Sequence, residues 1–308
     1  MITTVTLNVA VDKAYVVDHL KAGKVMRVLT CTNTPGGKGL NVARVIRECK
    51  EAVLATGIAG GYHGAYVEEL LRKQQVDCDF LHTKTETRTC INVLAGDGSS
   101  TEFLEAGDAL SEDDCHEFIR KFDGIIDKSD VITISGSVPQ GVKKDIYAVL
   151  IQRIKQKGKR VILDTSGELL KEGIKAMPTM IKPNQEEIEA LLGISVNHRE
   201  DLIEGAGRLQ KMGMEYVVVS LGANGAVVVT GNAVYHAVPP KITPVNTVGS
   251  GDAMVGAFAV GFVRGYSIWE ALKYAVSVSA ANTLTMTTGS FREEDRKRIF
   301  DQVTVTKL

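Results

Sequence analysis

The chain has 308 residues, 44% of them hydrophobic and 24% charged, with a formal net charge of −1. That is enough apolar material for one large core, alone or with an appendage. The near-neutral balance excludes bulk attraction to nucleic acid or an anionic membrane, so any site for an anion has to be local.

In chain order, Ile2–Val11 alternates like a strand and lacks the basic start of a signal peptide. Gly39–Lys50 places Leu40, Val42, Ala43, Val45 and Ile46 at helical spacing, Ala52–Gly60 reads as a buried strand, and Gly64–Val76 as a helix. Apolar, β-branched runs follow at Val131–Ser135, Arg160–Asp164, Thr179–Ile181 and Tyr216–Ser220. They alternate with helical stretches at Lys143–Lys157, Asn184–Leu192 and Leu202–Met212. This predicts βαβ units and a mainly parallel α/β sheet covered on both faces. The last third is helical from Asp252 to about Leu284 and again over Arg292–Val303. The longest apolar run, Ala253–Val263, falls short of the about 20 residues that span a bilayer. Five widely spaced cysteines without a C-x-x-C argue against disulfides or structural zinc and lead us to expect a cytoplasmic protein.

Two segments depart from the alternation. Residues 12–34 and 88–107 read as short strands and turns without a helix, the second with a glycine turn at Gly96–Gly98. They are expected to pair with each other as a small β lid over a core made of residues 1–11, 35–87 and 108–308.

The sharpest motif is Asn246-Thr247-Val248-Gly249-Ser250-Gly251-Asp252, directly before the apolar run. Small residues at a helix start let successive N–H groups converge on an anion, and the helix terminus adds partial positive charge. Such a hole suits a transferring phosphoryl group, with Asp252 as base toward a hydroxyl. The plainer reading is a helix cap. In Pro35-Gly36-Gly37-Lys38-Gly39-Leu40-Asn41, glycines again lead into a helix, with Lys38 and Asn41 in its first turn. Lys24, Arg27 and Arg88 are basic residues of the lid, and arginine's fork suits phosphate. Lys182-Pro183-Asn184-Gln185-Glu186-Glu187 holds an N-x-x-E spacing, read either as a water-mediated Mg²⁺ site or as a capping box. Ser220-Leu221-Gly222-Ala223-Asn224-Gly225 follows a buried strand, as a nucleotide-phosphate loop or a simple turn. No Walker A loop occurs, and no G-x-G-x-x-G follows the first strand, which argues against a dinucleotide oxidoreductase.

Together these pieces resemble, over nearly the whole chain, the ribokinase/PfkB family of carbohydrate kinases. G-G-K-G-L-N-V-A looks like its first signature and N-T-V-G-S-G-D-A like its second. The resemblance implies a ribokinase-like α/β/α sandwich with a small β-sheet lid. It implies Asp252 as base with Gly249, Ser250 and Gly251 as anion hole. Asp12, Gly37, Asn41 and Ser137 would hold the sugar. Lys182, Asn184, Ser220, Gly222, Gly225 and Asn282 would serve ATP, with Glu187 near Mg²⁺ through water. Asn246 stands where many relatives of ribokinase carry Asp, so no monovalent-cation site is assigned. Lys38, Arg27, the segment Glu86–Asn92 and Ser135–Pro139 resemble the branch acting on phosphorylated hexoses, which includes tagatose-6-phosphate kinase and 1-phosphofructokinase. The expected reaction is ATP-dependent phosphorylation of tagatose 6-phosphate, with fructose 1-phosphate as the alternative acceptor. Lys38, Arg27 and Arg88 would hold the existing phosphate, and a homodimer would form through the lid. A sensor on the same fold is a more distant alternative, disfavoured by the acid in G-S-G-D.

Overall fold

The computed structural model describes residues 1–308. Strand β1 (Ile2–Thr6) leads into β2 (Ala10–Val17) and β3 (Thr30–Gly36), then α1 (Lys38–Glu48), β4 (Val53–Gly60) and α2 (Gly61–Lys73). Short strands β5 (Asp77–Cys78) and β6 (Leu81–Thr83) precede the hairpin β7 (Arg88–Ala95) and β8 (Ser100–Leu104). The next stretch runs α3 (Glu112–Ile126), β9 (Val131–Ser135), α4 (Ile146–Gln156), β10 (Arg160–Asp164), α5 (Gly167–Gly173) and β11 (Met180–Ile181). Helices α6 (Gln185–Leu192) and α7 (Arg199–Gln210) come before β12 (Tyr216–Ser220), β13 (Ala226–Val229) and β14 (Val234–Val238). The chain closes with α8 (Ser250–Val263), α9 (Ile268–Asn282), α10 (Glu293–Gln302) and β15 (Thr304–Lys307).

The large sheet runs β15-β14-β13-β12-β11-β10-β9-β1-β4-β5, with β6 also on β4. It is parallel from β12 to β5, and β13, β14 and β15 extend it antiparallel. Its central strands are apolar on both faces because both are covered. Ile162, Met180, Val218 and Val228 join the core under α1, α8 and α9. Their neighbours Val161, Leu163, Ile181, Val217 and Val219 join the core under α3, α4 and α7. One sheet thus separates two apolar layers, the α/β/α sandwich expected from the alternation. No helix is long and apolar enough to cross a membrane.

A second sheet has the order β3-β2-β7-β8. β2 pairs parallel with β7, Asp12 opposite Cys90, and antiparallel with β3. The two irregular segments therefore do pair with each other. Val25, Leu29, Phe103 and Leu104 on this small sheet and its β2–β3 loop are exposed.

One expectation needs correction, a second is refined, and one helix is added. Ile2–Val11 is not one strand: residues 7–9 break it, so β1 stays in the large sheet and β2 crosses to the small one. Asn8 fixes the break, its Nδ2 donating to Ala106 O at 3.3 Å and Ser137 Oγ at 3.1 Å. The helix from Asp252 to Leu284 is two helices, with a turn at residues 264–267 where Gly265 takes φ 70°. Helix α3 was not predicted, although Ser111 and Asp114 form a capping box at its start.

Candidate active site

Asp252 lies in the first turn of α8 and is 6% exposed. Gly249 caps this helix in the left-handed region, φ 79°, where a side chain would be strained. Ahead of the helix the amides of Gly251 and Asp252 find no backbone acceptor, as expected for a helix start, and remain open to an anion. Asn41 Nδ2, from α1, donates to Asp252 Oδ2 at 2.9 Å. Burial raises the Asp252 carboxyl to about 6; Lys38 opposes the rise and Asp164 adds to it. A buried carboxylate poised near neutrality can accept a proton from a hydroxyl.

Beside it stands a group of charges that the sequence only partly disclosed. Asp164, at the C-terminal end of β10, is nearly fully buried. Its Oδ1 pairs with Lys182 Nζ at 3.1 Å, and Lys38 Nζ lies 3.6 Å from Oδ2. Oδ2 has no hydrogen-bond partner. Lys38 is held protonated above its ordinary range, chiefly by Asp164. A Cβ on Gly251 would sit 3.3 Å from Lys182 Nζ, which puts that ammonium against the turn. Lys38 and Lys182 thus stand as two ammonium groups close to the open amides, set among the carboxyls of Asp164, Asp252 and Glu187. Sequence reasoning missed Asp164; an acid at the carboxyl end of a parallel strand was the available signal.

The small sheet supplies Asp12. Its carboxyl lies where a Cβ on Gly36 would be, 2.2 Å from Oδ1, so Gly36 is what lets Asp12 face the site. Burial raises Asp12 to about 6, opposed by Arg88 and Arg44. Asp12 lines a cleft with Asn92, Glu102, Asn246, Val248 and Thr288. Gly37, Lys38, Arg88 and Ser137 line a second, wholly polar cleft with Thr6, Asn8, Ser135, Gly136, Thr165 and Ser166. Arg88 donates to Glu105 O at 2.7 Å and Asn8 O at 3.1 Å, and its buried Nε has no partner. Arg27 is not brought here. It sits on the exposed β2–β3 loop and lines neither cleft.

On the other side of Lys182, Asn184 and Ser220 line a cleft with Gln185, Leu221, Asn224 and His236. Gly222 and Gly225 bound the turn that follows Ser220. Asn184 and Glu187 form the capping box of α6: Asn184 Oδ1 accepts from Glu187 N at 2.8 Å, and Glu187 Oε2 from Asn184 N at 2.9 Å. Burial raises the Glu187 carboxyl, with Lys182, Asp164 and Lys38 all close enough to act on it. The capping-box reading of this spacing is thus the one met in the structure. No group of three His, Cys, Asp or Glu is placed to hold a metal alone. Asn282 does not line the cleft by Ser220. It is buried, with Nδ2 donating to Val248 O and Oδ1 accepting from Ser290 N, each at 3.3 Å, and it braces the loop before Gly249.

The profile of the pfkB family of carbohydrate kinases matches residues 5–295. Phosphofructokinase-2 from Escherichia coli in complex with potassium superposes with TM-score 0.92 at 30% identity, covering 98% of each chain. The same enzyme in complex with fructose-6-phosphate gives TM-score 0.90 at 29% identity, again over 98% of each chain. A possible 1-phosphofructokinase from Thermotoga maritima gives TM-score 0.91 at 26% identity, covering 100% of this chain and 99% of its own.

Proposed function

The chain belongs to the pfkB family of carbohydrate kinases and is an ATP-dependent sugar kinase, and from that premise we propose that its acceptor is a ketohexose already carrying one phosphate. The observation that carries this reading is the polar cleft around Lys38, Arg88 and Ser137, beside Asp252. A neutral sugar needs hydroxyl ligands such as Asp12 and Asn41; a cleft edged by fixed cations suits a dianionic phosphate as well. The T-R-x-C-I form of Thr87–Ile91 resembles the tagatose-6-phosphate type and favours tagatose 6-phosphate, giving tagatose 1,6-bisphosphate. Fructose 6-phosphate is the second reading, favoured by the likeness to an enzyme described with that ligand; fructose 1-phosphate is the third.

In this reading Asp252 takes the proton of the attacking hydroxyl, and Asn41 keeps its carboxylate turned toward the acceptor. The amides of Gly251 and Asp252, with Lys182 and Lys38, stabilise charge on the transferring phosphoryl oxygens. Glu187 would orient water around Mg²⁺, which neutralises charge on the nucleotide phosphates when bound. The cleft by Ser220 and Asn224 takes the nucleotide, at the carboxyl ends of the strands. The small sheet acts as a lid over core residues 1–11, 35–87 and 108–308, and excludes water on closing. Its exposed apolar residues support pairing with a second copy of the chain.

The test is ADP release with ATP and Mg²⁺ against tagatose 6-phosphate, fructose 6-phosphate and fructose 1-phosphate. Turnover on one of them, reduced about 10²–10⁴-fold in Asp252→Asn, is expected. Silence on all three would overturn the phosphorylated acceptor, and an active Asp252→Asn would overturn the base.

A further inference from the structure

Arg44 lies one turn after Asn41 on α1 and is 5% exposed. It has no carboxylate in ion-pair contact, an uncommon situation for a buried cation. The other residues buried along α1 are chiefly apolar, among them Leu40, Val42, Val45 and Ile46, so packing alone does not call for a charge there. Its guanidinium makes one long hydrogen bond, Nη1 donating to Asn41 Oδ1 at 3.4 Å. Attraction to Asp12 and Glu48 offsets part of its burial cost.

The Asn41 amide has two chemically different ends. Asp252, as an ionised carboxylate, only accepts, so it requires the Nδ2 end. Arg44 only donates, so it requires the Oδ1 end. The two demands select the same orientation. Without Arg44, one contact alone would choose between the correct amide face and the one that sets oxygen against the Asp252 carboxylate. We propose that Arg44 is a positioning residue for phosphoryl transfer, fixing the Asn41 amide so that the Asp252 carboxylate stays aimed at the acceptor hydroxyl. The inference rests on the reading of Asp252 as the base.

The experiment is a double-mutant cycle on the full chain, with kcat and both KM values measured for Arg44→Met, Asn41→Ala and the pair. Folding of each variant is checked by cooperative thermal unfolding. Arg44→Met should lower kcat about 3-fold to 10-fold, the worth of an ordinary hydrogen bond, with KM for ATP within twofold. In the Asn41→Ala background the same substitution should cost less than twofold. A merely structural Arg44 would cost the same factor in both backgrounds, and that result overturns the proposal, as does an unchanged kcat in folded Arg44→Met. Arg44→Gln, which keeps a donor without the charge, is carried through the same cycle, so failure of the Met variant to fold leaves the test intact. It should retain most of kcat, and an equal loss in both backgrounds again overturns the proposal. Asp252→Asn is assayed alongside. If that variant stays active, the base reading fails; if it is inactive while the cycle shows no coupling, only the role of Arg44 fails.

Discussion

Asp12, half-buried, and Asp252, buried, both have carboxyls raised to about 6 from an ordinary 3.8. For Asp252 the kinetic consequence has a definite sign. A protonated base cannot accept a proton, so kcat/KM for the sugar phosphate should fall as pH drops through about 6. Lys38 holds the carboxyl down, whereas Asp164 pushes it up. Lys38→Met should therefore move that acid limb to higher pH, and a limb that stays in place would remove Lys38 from the electrostatics of the base. Stability follows the opposite course. With the folded pKa above the unfolded one, the stabilising contribution is full below about 4 and lost as pH rises through about 6. Asp252→Asn stays neutral throughout. It should melt higher than the unaltered protein at pH 8, by an amount equivalent to about 1–3 kcal/mol, and close to it at pH 4. Calorimetry at the two pH values checks this; a variant less stable at pH 8 would count against the burial cost. Arg88→Ala should raise KM for the sugar phosphate far more than KM for ATP, since Arg88 lines the polar cleft and not the cleft by Ser220. Equal rises would argue that its bonds to Asn8 and Glu105 are its whole role.

The elements most legible in the sequence were those whose residues state their surroundings. β9, β10 and β12 are apolar on both faces and were placed at their observed bounds. The motif turns were legible because glycine and an acid or amide at a helix start have few other uses. Asp164 was not legible: it ends an ordinary strand, and only the return of Lys38 and Lys182 from distant segments gives it meaning. Arg44 was hidden in the same way inside a helix read only for its apolar spacing. Asn282 and Arg27 do not line these clefts: a resemblance supplies a role, whereas Asn282's own hydrogen bonds and the exposed loop under Arg27 decide where each side chain sits. The packing of α1 on α8 gives an element-scale prediction. A Cβ on Gly256 would come within 3.1 Å of Val45 Cγ1 and 3.2 Å of Val42 O. Gly256→Val should push apart the two helices that carry Asn41 and Asp252. The expected cost is about 1–3 kcal/mol of stability together with reduced turnover. Chemical denaturation and the ADP assay read the two; full activity would mean the helices can separate without disturbing the base.

At the scale of the molecule, one chain segment serves both sheets. Strand β1 lies inside the large sheet, between β9 and β4, and three residues later β2 is an inner strand of the small one. A sequence shows the alternation of such a segment but not the point at which it changes sheet, because that point is set by Asn8 meeting residues about a hundred positions away. The exposed Phe103 and Leu104 give the prediction at this scale. Phe103→Glu with Leu104→Lys should shift the chain from dimer to monomer in sedimentation, and a monomeric unaltered protein would discard the pairing.

The crossing between the sheets is clasped by Arg88, which holds the carbonyls of Asn8 and Glu105 on either side of it. The residue proposed to read the substrate's charge is thereby also a fastener of the joint on which the small sheet would swing. Selection for a tighter grip on one sugar phosphate would then alter the stiffness of that joint, and selection for a faster swing would alter the grip. Substrate preference and tempo would be inherited together through a single guanidinium.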